Sequence, residues 1–411
     1  MKKFDDYEFK DTKTVIRLQL KQIKEKKLYP WEVSNFLGKF NTYYYKSELL
    51  NTIAIALNEG IDPEDIIILD QSFALNRQYA KLSFLSTTDQ DLVQLYYIGL
   101  PVPLFPNKDI YVLNILFKYF RKYFVFLNKL SKSSKAVTIQ KKNLPKYYNV
   151  YKSGNFDVMF SLIKEDVLEC LKEVILEEST NVMLNKIHND FKKEYEVYLK
   201  HEEKIEQIKT NLIKNDLKKV DFNSIVFKTY FKKFHTCLSH VQRPIVVVNN
   251  TENNILSVLC RAQFNKSDWQ ASTLDLESIS HNSPFKAILK GGSALYRIFI
   301  PGDRQKLIDN KEKVIKELNS KLLDPENEAE YTEIKKELQQ LEKEIETLKK
   351  INVAEQKTNS DNVEHIVITY IKSQFQNFQN KIQSRSSNLL SDNNFKPDLG
   401  DTEVYDFDID V

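Results

Sequence analysis

The sequence predicts an α+β protein: a large helical N-terminal region, then a small mixed sheet interrupted by an antiparallel coiled-coil hairpin. Three observations carry this expectation. Through the first 140 residues, apolar side chains recur at threes and fours, the spacing of one helix face. Three short runs, "PIVVVNN" (244–250), "ILSVLCRAQF" (255–264) and "FKAILK" (285–290), have the β-branched or apolar character of strands. Between 305 and 350, Tyr331, Ile334, Leu338, Leu341, Ile345 and Leu348 step by three and four, a heptad seam.

In chain order, "KTVIRLQLKQIKEKK" (13–27) and "WEVSNFLGKFNTYYYKSELLNTIAIALNEG" (31–60) read as amphipathic helices. Gly60 stops the second, and Pro63 opens a new element. "GLPVPLFP" (99–106) is a rigid connector, because proline fixes the backbone. An aromatic-rich helix follows over 110–130. Its Tyr, Phe, Lys and Arg residues suit either a platform for stacked bases or a core helix whose lysines reach out to water. Residues 131–154 form a polar, basic connection, and 156–218 a charged helical stretch in which acids and bases alternate.

The β-branched runs begin near 222, with "NNTENN" as the turn of a hairpin. Ile308, Ile315, Leu318 and Leu322 give a second apolar stripe to face the heptad seam, with the turn at "DPENE" (324–328). "DNVEHIVITYIKSQFQNFQNKIQ" (361–383) is a further amphipathic helix, and a polar loop over 384–404 leads to an Asp-rich terminal strand. The expected division is therefore 1–140, 141–221, 222–304, 305–350 and 351–411.

A chain of 411 residues exceeds one typical core. Its 42% hydrophobic content excludes wholesale disorder. A net charge of +3 argues against a purely electrostatic nucleic-acid binder, while local basic runs could still serve one. The three cysteines, Cys170, Cys237 and Cys260, are odd in number and far apart, which suits a reducing, cytoplasmic setting rather than a disulfide framework. No membrane association is expected: the N-terminus lacks an apolar signal core, and "YVLNILFKYFRKYFVF" (111–126) is too short and too charged to span a bilayer.

Two stretches carry candidate chemistry. The chain has only 8 glycines, yet Gly291 and Gly292 stand together before Ser293, between a strand pattern and a helix pattern. Such a turn either needs backbone freedom or offers bare N–H groups and a helix N-terminus to an anion, with the serine hydroxyl as a further donor. At the other stretch, Asp406, Asp408 and Asp410 alternate with Phe407, Ile409 and Val411. On a strand this spacing gathers three carboxylates on one face, where a divalent cation such as Mg²⁺ offsets their repulsion. The other reading is a solvated acidic tail. His235, Cys237, His240 and Cys260 have the donor types of a zinc site but no common zinc spacing, so core cysteines and surface histidines are expected.

Together "LKGGSALYRIF" and "DFDIDV" resemble the two signatures of the nucleotidyltransferase superfamily with the polymerase-β-like fold. "KGGSAL" looks like the opening of abortive-infection toxin nucleotidyltransferases, and similar pairs occur in poly(A)-polymerase-like proteins of large DNA viruses. The resemblance implies that Gly291, Gly292 and Ser293 hold the triphosphate of an NTP. It implies that two of Asp406, Asp408 and Asp410 ligate paired Mg²⁺ ions for transfer to a nucleic-acid or protein hydroxyl. Asp408 belongs to both Asp-apolar-Asp pairs.

Because 114 residues separate Gly292 from Asp406, the hairpin is expected to be an insertion in a nucleotidyltransferase-type sheet. The family pattern also carries a third carboxylate on a later strand. A chain cut short, or a subunit completed by a partner, is therefore expected. The rival reading is a non-catalytic helical scaffold that docks a protein partner through 305–350.

Overall fold

A computed structural model describes residues 14–23, 28–72, 98–130, 143–171, 178–250, 255–260, 274–280, 285–291, 295, 298, 304–322, 328–358 and 362–404. In chain order the elements are β1 (Thr14–Gln22), α1 (Pro30–Asn58), β2 (Ile66–Ser72), β3 (Pro101–Pro103), α2 (Lys108–Leu130) and α3 (Leu144–Lys152). Next come α4 (Phe156–Cys170), α5 (Glu178–Ile213), α6 (Ile225–Tyr230), α7 (Lys233–His240), β4 (Pro244–Asn250) and β5 (Ile255–Val258). The last are β6 (Asp275–Ser280), β7 (Lys286–Gly291), α8 (Arg304–Leu322), α9 (Glu328–Thr358), α10 (Thr369–Asp392) and β8 (Phe395–Val404). The protein is α+β, with two four-stranded antiparallel sheets. The chain divides into two compact units: Met1–Glu59 with Cys260–Val367 and Ile371–Val411, and Gly60–Leu259 with Ile368–Tyr370.

The first unit is built on the sheet β6-β7-β1-β8. Residues 13–27, expected to be helical, supply its strand β1 instead. Leu18, Leu20 and Gln22 are buried while Arg17, Gln19 and Lys21 are more exposed, a period of two. The apolar spacing of this short run fits either element. Partners on both sides decide for the strand, since a central strand satisfies all its backbone groups. Residues 395–404, expected in a polar loop, form the edge strand β8. An edge tolerates a polar sequence and Pro397, whose missing N–H breaks no interior ladder.

α1 packs on this sheet's buried face. Its Phe36 lies 4.6 Å, centroid to centroid, from Phe395 of β8, which lies 5.5 Å from Phe285 at the start of β7. Among the contacts that join α1 to α10, Gln379 Nε2 donates to Ser47 Oγ at 3.1 Å, and the Lys46 ammonium sits 5.6 Å from the Phe378 ring centre. Helices α8 and α9 bury Leu318 against Ile334 and Leu338, with Ile315, Leu322 and Leu341 packed beside them. Lys349 of α9 reaches Glu312 of α8 at 2.9 Å, so the two helices run in opposite directions.

The second unit holds the sheet β3-β2-β4-β5. The runs at 244 and 255 do pair as an antiparallel hairpin. They belong, however, to a different sheet from β7, so the single sheet expected from the sequence is two. α2 is a core helix: Phe120 and Tyr123 are buried, Tyr119 meets Phe191 edge-on at 4.8 Å, and Lys118 ion-pairs with Glu194 at 2.6 Å. The buried rings of Phe117, Tyr119, Phe120 and Tyr123 are thus committed to packing rather than open to stacked bases. His235 packs on Phe234 and Tyr370, and burial lowers its pKa to about 4. Among the described residues no three His, Cys, Asp or Glu side chains gather as a metal site. No described helix is long and apolar enough to cross a membrane.

Burial, with Arg385 nearby, holds Lys46 down at about pKa 8 against 10.5 when free. Between those values the unfolded chain binds more protons, so stability contributed here rises as pH climbs from about 8 to 10.5. Lys46→Met should therefore stabilise the protein at neutral pH by up to roughly 3 kcal/mol. Urea-unfolding midpoints should show that gain shrinking at pH values near 10.5. A gain that does not depend on pH would contradict this account.

Candidate functional site

The strand β7 alternates cleanly, with Ala287, Leu289 and Gly291 turned inward and Lys286 outward. It runs antiparallel to β1, in the register Leu20 to Ala287, Leu18 to Leu289 and Ile16 to Gly291. On its other side β1 runs antiparallel to β8, with Leu20 opposite Pro397, Ile16 opposite Thr402 and Thr14 opposite Val404. β7 and β8 are therefore parallel to each other, with β1 between them. Gly291, Ile16 and Thr402 stand in one row across the sheet. Two strand spacings separate Gly291 from Thr402, about 10 Å. Between Ile16 and Leu18 the β8 register shifts by one extra residue, a bulge at Gly400–Asp401.

Of the predicted site residues, only Gly291 lies among the described ones. Gly291 is the last residue of β7. Gly292, Ser293, Asp406, Asp408 and Asp410 lie outside the described residues. The first pair directly follows the end of β7, and Asp406 comes two residues after the end of β8. Both strands release their chains at the same end of the sheet.

Gly291 also has a packing reason to be glycine. Its φ is not positive, so no left-handed turn is involved at this position. A Cβ there would lie 3.1 Å from a methyl of Leu295, and 3.2 Å from both a methyl of Leu274 and the Tyr44 hydroxyl. Tyr44 is fully buried on α1. The close approach inferred from the paired glycines is, at Gly291, an approach of the protein's own groups. Sequence reasoning missed Tyr44, which sits in the run "TYYYK" with nothing to distinguish it from its neighbours. It also missed β1, whose only signal is the alternation over 17–22.

Gly291→Ala should destabilise the protein by about 1–3 kcal/mol through overpacking. Tyr44→Phe, by removing the oxygen, should recover part of that loss in the double variant. Gly38→Ala is the contrast: nothing lies within 4 Å of a Cβ there, so this helix-interior change should stabilise by about 1 kcal/mol. Chemical denaturation of the four variants checks the set; an unchanged Gly291→Ala protein would contradict the packing argument.

Compared with known protein families, with curated proteins and with solved structures, the chain matches none.

Proposed function

We propose that the chain is a Mg²⁺-dependent nucleotidyltransferase, moving a nucleotidyl group from an NTP to a hydroxyl of a nucleic acid or protein. The observation that carries this reading is the row Gly291–Ile16–Thr402. Two motifs 114 residues apart can serve one nucleotide only if the fold returns the chain to its starting point. The strands leading into them are parallel, one strand apart, and end together. Gly292 would let the main chain approach the triphosphate, and Ser293 would donate its hydroxyl to a phosphate oxygen. Asp406, Asp408 and Asp410 are hard oxygen donors of the kind Mg²⁺ prefers, alternating at the spacing of one strand face. Bound there, Mg²⁺ would neutralise phosphate charge and activate the attacking oxygen.

On this reading the sheet is of nucleotidyltransferase type. α8 and α9 are a coiled-coil hairpin inserted between β7 and β8, whose closely spaced ends let the chain leave the sheet and rejoin it. The buried seam of Leu318, Ile334 and Leu338 supports that part. The outer side of residues 305–350 would then be free to meet a protein partner.

Thermal unfolding with and without NTP and Mg²⁺ tests the proposal. Ligand at about a hundredfold over Kd should stabilise the wild type by about 2.7 kcal/mol, a shift of a few degrees, only when both are present. Asp408→Ala should lose the shift while keeping its unliganded midpoint. Equal shifts in the two proteins would remove the enzyme reading and leave the helical scaffold.

A further inference from the structure

The sheet of the first unit has a second face. Leu18, Leu20, Ala287, Leu289 and Phe395 point to the packed side, so the alternate residues of β1, β7 and β8 form an open side. On it Lys21 stands directly opposite Lys286 of β7 and directly opposite Lys396 of β8. Three lysines thus stand side by side across three adjacent strands, their backbone positions spanning about 10 Å. All three are exposed, and none forms an ion pair among the described residues. Ser280 of β6 extends the row beyond Lys286.

Like charges on directly opposed residues weaken a sheet. Lysine on an edge strand can be explained as a guard against unwanted strand pairing, and Lys396 has that position. Lys21 and Lys286 do not, because β1 and β7 are the two interior strands. The neighbouring rows differ: Arg17 is paired with Glu277 at 3.1 Å, and Gln19 stands opposite Asp398. Only the Lys286–Lys21–Lys396 row is purely cationic.

We infer that this row is a binding track for the phosphate backbone of a single-stranded nucleic acid. Cations spaced one strand apart on an exposed sheet face complement a flexible line of phosphates. No aromatic side chain from β1, β7 or β8 shares that face to stack a base, so recognition is by charge and independent of sequence. Lys21 lies five residues along β1 from Ile16, about 17 Å from the end of the sheet at which β7 and β8 terminate. The track would hold an acceptor strand behind its reacting end. That last role rests on the transferase reading, whereas the binding itself does not.

The test is fluorescence anisotropy of the full chain with a labelled oligothymidylate of about twenty nucleotides, titrated with salt and with neither NTP nor Mg²⁺ present. Replacing Lys21, Lys286 and Lys396 together by Gln should weaken binding by roughly tenfold or more at low salt. It should also flatten the log–log salt slope by about two, near 0.7 for each phosphate that is no longer neutralised. Replacing all three by Arg should restore both values. The Gln variant should unfold no earlier than wild type, since repulsion is relieved. A control with Lys200, Lys204 and Lys218 changed to Gln should bind as wild type.

Oligonucleotide binding that is equal in wild type and Gln variant overturns the inference. So does a Gln variant that loses only its binding to phosphatidylserine vesicles, which would make the face a membrane-binding one. NTP protection that survives in the Gln variant leaves the transferase reading untouched either way. Absent NTP protection with lysine-dependent oligonucleotide binding would defeat that reading and keep the track.

Discussion

The strand β1 is the constraint on which the first unit depends. It is paired along its length with β7 on one side and with β8 on the other, so it joins segments that lie more than a hundred residues apart in the chain. Every backbone group it shares with them would otherwise need a partner in water or stay unsatisfied. Nothing else among the described elements connects β7 to β8 within the sheet. The shared row at Ile16 is a consequence of this one strand's register. A slip by one residue would move all of its buried side chains to the wrong face, which is why Leu18 and Leu20 hold the register as firmly as the hydrogen bonds do.

Beneath that strand, α1 converts register into shape. Phe36 braces β8 at Phe395 near one end of the sheet, and Tyr44 meets β7 at Gly291 near the other. One helix thereby touches both flanking strands. The same helix carries buried Lys46 and Ser47 toward α10, where Ser47 accepts from Gln379. In α8 and α9 the seam is instead apolar, with Leu318 against Ile334 and Leu338.

Much of this was legible in the sequence, and the rest was hidden for identifiable reasons. The strands at 244, 255 and 285 were readable because β-branched or apolar runs between turn residues have few other uses. The facing stripes of α8 and α9 were readable because a heptad is long enough to reveal its period. β1 was not, since Val15, Ile16, Leu18, Leu20 and Ile23 fit a helix face as well as a strand. β8 was not, since "KPDLGD" has low strand propensity and its place in the sheet is set by pairing with β1. Assignment of β4, β5 and β7 to one sheet failed because a strand's sequence does not name its partner.

At the site, the paired glycines and spaced aspartates announced themselves by rarity and alternation, but their relation to each other could not be read without β1. Tyr44 and the row of Lys21, Lys286 and Lys396 were invisible for the same reason. Each is an ordinary residue of a Tyr- and Lys-rich chain until register brings distant positions together.

The most direct measurement is photoaffinity labelling of the intact chain with an azido-ATP, followed by mapping of the modified peptides. If one nucleotide sits where β7 and β8 end, label should enter both the peptide spanning 285–295 and the peptide spanning 395–411, and both should require Mg²⁺. Label confined to the second unit, or entering without metal, would contradict the account.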